Sequence, residues 1–263
     1  MIASLAMYDL PWLQEANDRL WARIAAAVRD HGVADVPAGL TRGADLEEVW
    51  RSPELLLAQS CGYPLMTQLR GRVQLVATPH YDVEGCDGAF HRAAIVVHAS
   101  NPAASLADLR GARAGLNDPQ SNTGMNLFRA AVAPVAGGTA FFGEVLVTGS
   151  HAQSLEALAA GRIDVASIDA VTLALIRRHA PEQARAIRIL DWTAATPGLP
   201  LITSASTPPE TVATLRDVLA ELNTDPSLGA LCINGLEIFP VENYDTILRL
   251  ERQAEDLDYP ILR

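Results

Sequence analysis

Residues 112–132 read ARAGLNDPQSNTGMNLFRAAV, in which a short apolar segment leads through a polar loop into an amphipathic run. The apolar segment 112–116 predicts a β-strand, and the spacing of the apolar residues after Ser121 predicts a helix over 122–132. A strand that leads through a short loop into a helix is typical of α/β proteins with largely parallel sheets. The same alternation continues on both sides of this stretch.

The predicted elements follow one another as short strands separated by helices. The predicted strands cover residues 5–8, 55–59, 73–77, 94–98, 112–116, 144–147, 163–168, 187–190 and 201–204. The predicted helices cover about 11–30, 105–109, 122–132, 154–160, 170–179, 209–222 and 243–256. From this order we expect a discontinuous lobe 1, residues 1–99 and 196–263, and an inserted lobe 2, residues 100–195. Each lobe is predicted to be a mostly parallel sheet flanked by helices, with a ligand cleft between the lobes.

The charged residues of the sequence exclude several classes of binding partner. The 263-residue chain has 20 basic residues, all of them arginine, against 31 acidic residues, so its formal net charge is −11. The absence of lysine excludes a lysine Schiff base and a phosphate-loop lysine. An acidic chain without a basic cluster fits neither nucleic acid nor an anionic membrane surface. We therefore expect a small molecule as the ligand.

Neither a membrane span nor a secretory signal is recognisable. No apolar run approaches the roughly 20 residues that a transmembrane helix needs, and the N-terminus lacks the pattern of a signal peptide. We expect no membrane insertion and a cytoplasmic location, or a periplasmic one if an export signal has been trimmed. The three cysteines are widely spaced, which argues against a zinc site, and no metal or cofactor is expected.

The loop after the strand at 112–116 carries the first candidate binding residues. The first turn of a helix presents N–H groups without intrahelical partners, so the amides from Asn122 to Gly124 can bind an oxyanion. The hydroxyls of Ser121 and Thr123 can add hydrogen bonds, and Gly124 allows a close approach to the backbone. The alternative is that Ser121 or Asn122 only caps the helix.

A second group of candidates lies at predicted strand ends in lobe 1. Tyr8, Tyr63 and Tyr81 each stand near the end of a predicted strand and can form one aromatic wall with hydrogen-bonding hydroxyls. Cys61 and Gly62 belong to the same loop as Tyr63. The alternative for each tyrosine is ordinary partial burial at the surface of the lobe.

The cysteines and histidines leave other interpretations open. Cys61 and Cys86 can be adjacent thiols, a disulfide or simply buried residues. Cys61 can also be a nucleophile with His80 or His151 as its base, although no local motif supports this. His31, His91, His98 and His179 have no comparable setting and are expected at the surface or in the core.

Two further candidates lie in lobe 2. His151 stands between a predicted strand and a helix, where it can donate to an anion or cap the helix. Asp169 ends a strand and can accept a hydrogen bond from a ligand amine or hydroxyl, or cap the following helix.

Together these motifs resemble the phosphate/phosphite/phosphonate substrate-binding proteins of ABC importers, within the type II periplasmic-binding-protein superfamily. The matching segments are Cys-Gly-Tyr-Pro at 61–64, Thr-Pro-His-Tyr at 78–81, Ser-Asn-Thr-Gly at 121–124, Gly-Ser-His at 149–151 and Asp-Val-Ala-Ser-Ile-Asp at 164–169. They occur in order along nearly the whole chain.

The resemblance implies a two-lobed α/β fold and a role for each group of candidates. It implies that the anion is bound by Ser121, Asn122, Thr123 and His151. It implies that Tyr8, Tyr63 and Tyr81 form the aromatic wall of the binding site in the opposite lobe. It also implies that Asp169 contacts a polar substituent of the ligand. It further implies a transporter permease as a protein partner.

We therefore expect a non-catalytic solute-binding protein that captures a small phosphonate-like or phosphate-like anion through neutral donors and helix-end amides. Two alternatives remain open at this point. The first is an enzyme on the same fold, a dehydratase or hydrolase that uses His151, Asp169 and Cys61. The second is a ligand sensor that acts through a signalling partner.

Overall fold

The computed structural model describes residues 1–263, except for the side chains of Thr224, Pro226 and Ser227. The strands are β1 (Ile2–Ser4), β2 (Leu55–Gln59), β3 (Val73–Tyr81), β4 (Cys86–Asp87), β5 (Phe90–His91), β6 (Ala93–His98), β7 (Arg113–Leu116), β8 (Glu144–Val147), β9 (Val165–Asp169), β10 (Ile187–Trp192), β11 (Thr196–Pro197), β12 (Leu201–Ser204) and β13 (Ile233–Glu237). The α-helices are α1 (Gln14–Asp30), α2 (Leu46–Arg51), α3 (Gly62–Met66), α4 (Leu127–Ala136), α5 (His151–Ala159), α6 (Ala170–His179), α7 (Pro181–Ala184), α8 (Pro209–Glu221) and α9 (Asp245–Asp256). Within the described part of the chain, we find no helix with the length and apolar character of a membrane span.

The chain divides into two compact units. Unit 1 comprises Met1–Asp82, Asp87–Ala89 and Pro197–Asn243, and unit 2 comprises Val83–Cys86, Phe90–Thr196 and Tyr244–Arg263. Each unit contains a mixed sheet with helices packed on it. The predicted α/β class is therefore confirmed.

Unit 1 is built on a sheet with the strand order β1-β2-β12-β3-β13. All five residues of β2 are buried, which explains why its sequence, LLLAQ, does not alternate between apolar and polar residues. β1 runs parallel to β2, whereas β12 is antiparallel to both β2 and β3. Helices α1 and α8 pack together and bury apolar side chains such as Trp21, Ile24 and Leu215.

Unit 2 is built on a sheet with the strand order β10-β6-β9-β7-β8. The side chains of β6 alternate between two apolar clusters, as the two-residue period of a strand requires. Ile95 and Val97 pack in a cluster with residues of α4 and α9, and Ala94 and Val96 pack in a cluster with residues of α5 and α6. Both faces of this sheet are therefore covered by helices.

The parallel strands of unit 2 determine where its helices begin. β7 pairs in parallel with β8 on one side and with β9 on the other, so the carboxyl ends of these three strands lie at one edge of the sheet. α4, α5 and α6 follow β7, β8 and β9 in the chain. The starts of three helices are thus brought to the same edge.

The detailed prediction of mostly parallel sheets is wrong, because both sheets are mixed. β12 and β13 are antiparallel to β3 in unit 1, and β6 is antiparallel to both β10 and β9 in unit 2. An apolar strand has the same residue pattern whichever way it runs. Its direction is decided by the neighbour with which it pairs.

Several predicted boundaries also differ from the structure. The predicted strand 5–8 is wrong. The pairing of β1 with β2 ends at Ser4, and a 3-10 turn covers Ala6–Tyr8. β3 continues to Tyr81 instead of ending at residue 77. β13 was not predicted, since its sequence INGLE contains a glycine and too few apolar residues to indicate a strand.

The C-terminal segment also differs from the predicted domain boundaries, which assign all of 196–263 to lobe 1. Residues 244–263 belong to unit 2, as do residues 83–86 and 90–99, which the predicted boundaries likewise assign to lobe 1. Ala254, Tyr259 and Leu262 are buried in the same cluster as Phe128 and Val132 of α4. The amphipathic pattern of α9 predicts that one face is buried, but it does not indicate which unit covers that face.

Arg129 of α4 attaches this segment to unit 2 through buried polar contacts. Its guanidinium donates to Asn126 Oδ1 (2.6 Å), to the Pro260 carbonyl (2.5 Å) and to Glu251 Oε1 (3.3 Å). The Arg129 side chain is only 5% exposed, so water cannot replace these partners.

We expect Arg129→Met to lower the free energy of unfolding by about 2–4 kcal/mol, because it removes the charged donor from the buried Asn126 oxygen and from two partly buried acceptors. Urea unfolding followed by circular dichroism measures this loss. Arg185→Met is the matched control, because Arg185 is exposed, and it should change the stability by less than about 0.5 kcal/mol. Equal stabilities of the two variants would contradict the anchoring role.

Candidate functional site

The candidate oxyanion turn, Ser121–Gly124, is buried in unit 2 beyond the carboxyl end of β7. Ser121 is the N-cap, and its Oγ accepts a hydrogen bond from the Gly124 N–H (2.9 Å), so this amide, which was expected to bind an oxyanion, already has a partner in the protein. Residues Asn122–Asn126 form a π-helical turn that runs directly into α4. Because a hydroxyl that accepts one hydrogen bond still has its own hydrogen, Ser121 both caps the turn and can donate to a ligand.

His151 contacts this turn from the start of the neighbouring helix α5. Its Nε2 lies 3.1 Å from Thr123 Oγ1. The N-cap of α5 is Ser150, whose Oγ accepts from the Gln153 N–H (3.1 Å). The turn is also held from β9, since Ser167 Oγ donates to the Thr123 carbonyl (2.6 Å).

Gly124 provides the space in which these groups meet. A Cβ at this position would lie 1.7 Å from Asn117 Oδ1 and 3.1 Å from His151 Cε1. The backbone of the turn therefore packs directly against both side chains. Asn117 Oδ1 is itself buried and has no hydrogen-bond partner among the described residues.

Burial is the main influence on the protonation of His151. Desolvation lowers the pKa of its imidazole below the ordinary value of 6.5, and this effect outweighs the opposing influences of the Asp169 charge and the Ser167 carbonyl. The imidazole is consequently neutral at pH 7. A neutral His151 can share a proton with Thr123 or donate to an oxyanion without carrying a buried charge.

Asp169 ends β9 and is the N-cap of α6. Its Oδ1 accepts from the Thr172 N–H (2.9 Å), and its Oδ2 lies 3.2 Å from Nδ1 of His91. Burial alone raises the pKa of Asp169, but the contact with His91, the nearby imidazole of His151 and the Thr172 amide together hold that pKa below its ordinary value. Asp169 is therefore a buried carboxylate that caps α6 through Oδ1 and lies beside His91 with Oδ2.

The sequence did not indicate His91 as part of this group. It precedes β6, whose Ala93 pairs with Asp169 in the sheet, and this register brings His91 beside the carboxylate. The two residues lie 78 positions apart in the chain. No local motif connects them, so only the strand pairing reveals the contact.

The resemblance assigns Asn122 to the anion, and the structure shows that its side chain already has partners within the protein. Its Nδ2 donates to Thr196 Oγ1 (2.9 Å), and its Oδ1 accepts from Asn126 Nδ2 (3.1 Å). Asn126 also donates to the Ile247 carbonyl at the start of α9 (3.2 Å). The Asn122 side chain thus supports the turn from inside, and Asn126 and Thr196 are supporting residues that the sequence did not indicate.

The aromatic candidates lie in unit 1. Tyr8 and Tyr81 are in edge-to-face contact, with ring centroids 5.4 Å apart and an interplanar angle of 77°. Gln59, at the end of β2, donates from Nε2 to Tyr81 Oη (2.9 Å) and was not among the predicted site residues. The structure therefore brings together Tyr8 and Tyr81, which lie far apart in the sequence.

The other candidates of unit 1 lie on a short helix. Cys61 is the N-cap of α3, and Gly62 and Tyr63 are its first residues. Cys61 and Gly62 are buried, whereas Tyr63 is half-buried. Tyr63 is held in place through its carbonyl, which accepts from Thr67 Oγ1 (2.8 Å).

The three cysteines are reduced thiols in this structure. Cys61, Cys86 and Cys232 form no disulfide among the described residues. Burial, with the charge of Asp169 as a smaller contribution, raises the pKa of the Cys86 thiol to about 12, so it stays protonated. The part of the chain that the structure describes contains no cluster of His, Cys, Asp or Glu suited to a metal ion.

Comparison with known proteins assigns the family. Residues 25–238 match the family described as "ABC transporter, phosphonate, periplasmic substrate-binding protein". The chain belongs to this family of phosphonate-binding proteins. The family resemblance inferred from the five sequence motifs is confirmed. A comparison with curated protein sequences finds no match.

Solved structures show that this phosphonate-binding protein has the fold of its family. The binding-protein component of an ABC phosphonate transporter from Pseudomonas aeruginosa superposes with a TM-score of 0.76 at 17% identity, over 98% of this chain and 86% of that chain. PhnD1 from Prochlorococcus marinus, solved with methylphosphonate, gives 0.75 at 13% identity over 97% of both chains. A Xanthomonas citri protein solved with chloride ion gives 0.73 at 17% identity over 97% of both chains. The predicted periplasmic-binding-protein-like fold is confirmed.

We expect Gly124→Ala to lower the free energy of unfolding by about 1–3 kcal/mol, because the added methyl must displace Asn117 and His151 from a packed site. Urea unfolding measures the effect. Gly39→Ala is the control, since no described heavy atom lies within 4 Å of a Cβ placed there. A Gly124→Ala variant as stable as this control would show that the turn is not closely packed.

A second prediction concerns pH. Because the folded state lowers the pKa of His151, the unfolded chain takes up this proton at a higher pH than the folded chain. The stabilising effect of the neutral imidazole is full above about pH 6.5 and is lost as the pH falls below this value. The free energy of unfolding should therefore decrease between pH 7.5 and pH 5.5, and His151→Gln should make that decrease smaller. His31→Gln, at an exposed position, should leave it unchanged, and identical pH profiles for wild type and His151→Gln would refute the assignment.

Proposed function

We propose that this protein captures a small phosphonate-like or phosphate-like anion and that the oxyanion turn Ser121–Gly124, with His151, binds the anionic group. Membership of the phosphonate-binding family over residues 25–238 supports the class of ligand. The contact between Thr123 Oγ1 and His151 Nε2 is the observation that carries the site, because it places a hydroxyl and a neutral imidazole side by side at adjoining helix starts. If the imidazole N–H donates to Thr123, the Thr123 hydroxyl keeps its own hydrogen for an oxyanion. The P. marinus relative solved with methylphosphonate suggests the first ligand to test.

Neutral hydrogen-bond donors can bind an oxyanion although the chain has a net charge of −11. Surface charges are screened beyond a Debye length of about 8 Å at physiological ionic strength. Hydroxyl, imidazole and amide donors within hydrogen-bond distance of the oxyanion lie in buried surroundings, where water competes weakly for the same hydrogen bonds. Local hydrogen bonding can therefore outweigh the unfavourable overall field.

The tyrosines of unit 1 are the proposed contacts for the organic part of the ligand. The edge-to-face pair of Tyr8 and Tyr81 offers an ordered aromatic surface, and Gln59 orients the Tyr81 hydroxyl. Tyr63, with Cys61 and Gly62 at the start of α3, is proposed to extend this surface. Aromatic rings provide apolar contact area and a polar edge with little loss of side-chain freedom.

We further propose that binding proceeds without bond cleavage and that the partner is the membrane permease of an ABC importer. The family consists of substrate-binding proteins of such transporters, described as periplasmic, and we propose the same compartment for this chain. Asp169, one of the three residues of the enzyme alternative, is buried and caps α6, which argues against a catalytic role for it.

Isothermal titration calorimetry with methylphosphonate tests the proposal. Thr123→Val keeps the side-chain shape but removes a hydroxyl that would bond to a charged group, worth about 1.5–3 kcal/mol, so the dissociation constant should rise about 10- to 100-fold. Thr139→Val, at an exposed position, is the matched control and should bind like wild type. The phosphorus NMR spectrum of ligand released from the complex should equal that of the starting material. Equal affinity of Thr123→Val and wild type would refute the site, and a new phosphorus signal would favour the enzyme.

A further inference from the structure

We propose that Asn117 is a further binding residue of the oxyanion site and that its side-chain amide donates from Nδ2 to an oxygen of the bound phosphonate. This role rests on the proposed function and deepens it. Asn117 was not among the candidate residues from the sequence, and the family resemblance did not indicate it. It adds a neutral amide donor to the hydroxyl of Thr123 and the imidazole of His151.

Asn117 is the first residue after β7, between two of the helix starts of unit 2. The Gly149 N–H, which lies just before α5, donates to the Asn117 carbonyl (3.0 Å). The loop that follows is closed by a hydrogen bond from the Ser121 N–H to the Asp118 carbonyl (3.0 Å). The backbone of Asn117 is thus fixed between the oxyanion turn and the start of α5.

The side chain of Asn117 points toward the oxyanion turn. A Cβ placed on Gly124 would overlap Asn117 Oδ1 and would lie 3.1 Å from His151 Cε1, so the amide and the imidazole both lie beside the Gly124 Cα. His151 Nε2 in turn lies 3.1 Å from Thr123 Oγ1. The Asn117 amide is therefore next to the side chains that we propose as ligands of the anion.

The amide of Asn117 has no hydrogen-bond partner among the described residues. Its Oδ1 is enclosed and unpaired, whereas Nδ2 is not enclosed. An enclosed polar atom without a partner is unfavourable for folding, and native proteins contain few of them. Residues that break such a rule are expected at functional sites. A ligand oxygen beside Nδ2 would give this amide the partner that the fold does not provide.

The surroundings of the amide decide which of its ends meets the ligand. The neighbours of Oδ1 are the Cα of Gly124 and Cε1 of His151. Both atoms carry polarised C–H groups, which favour an oxygen over an NH₂ group. The two N–H donors of Nδ2 are therefore left for a ligand, and an anionic oxygen is the acceptor that pairs most strongly with them.

Asn117→Leu tests this role, because it keeps a side chain of similar size and removes the amide. The dissociation constant of methylphosphonate, measured by calorimetry at pH 7, should rise about 10- to 100-fold, as expected for a lost hydrogen bond to a charged group. The midpoint of urea unfolding should be no lower than in wild type, since no hydrogen bond within the protein is lost. A merely structural residue would give the reverse, with lower stability and unchanged affinity.

Asn117→Asp tests the contact by charge. It is nearly isosteric, but its carboxylate has no hydrogen to donate and repels a neighbouring anion, so it should weaken binding more than Asn117→Leu does. Gln120→Leu and Gln120→Glu are the matched controls, because Gln120 is exposed in the same loop. Both controls should bind methylphosphonate within about twofold of wild type, since water and salt screen a charge at that position.

The outcomes separate this role of Asn117 from the proposed function. A folded Asn117→Leu variant that binds like wild type would overturn the role, while loss of affinity in Thr123→Val would still support the oxyanion site. If Asn117→Leu does not fold, an Asn117→Asp variant that binds as well as Gln120→Glu would overturn it equally. Failure of the wild-type protein to bind methylphosphonate would overturn the proposed function, and the role of Asn117 with it.

Discussion

Parallel pairing of β7 with β8 and β9 is the constraint on which the candidate site of unit 2 depends. It places three strand ends at one edge, and a capped helix start follows each of them. The caps are Ser121, Ser150 and Asp169. Because each cap satisfies a backbone amide of its own helix, the three starts are ordered before any ligand binds. This order lets Thr123 and His151 meet.

The charges in this unit are arranged so that burial costs little. His151 is kept neutral by desolvation, and the buried Asp169 is paired with His91 and with a helix amide. A hydroxyl beside a neutral imidazole can contribute hydrogen bonds to an anion without a formal positive charge. Such a site needs no lysine, and this chain contains none.

The residues that stabilise unit 2 also support its candidate site. The side chain of Asn126 bonds both to Asn122 in the turn and to the Ile247 carbonyl of α9, and Arg129 bonds to Asn126 and to the segment after α9. The π-helical turn is therefore supported from behind by the C-terminal segment. π-helical turns often occur at functional sites, and here the supporting contacts explain how this one is maintained.

The sequence by itself determined the α/β class, the strands β2, β8 and β12, the helix α6 and the helical turn that begins after Ser121, because these depend on local apolar periods and capping residues. Only the tertiary structure decided the mixed strand directions, the attachment of residues 244–263 to unit 2 and the pairing of His91 with Asp169. A residue pattern records which faces are buried and where a helix begins. It does not record which distant segment covers a face, because strand direction, register and packing partner arise from contacts between residues far apart in the chain.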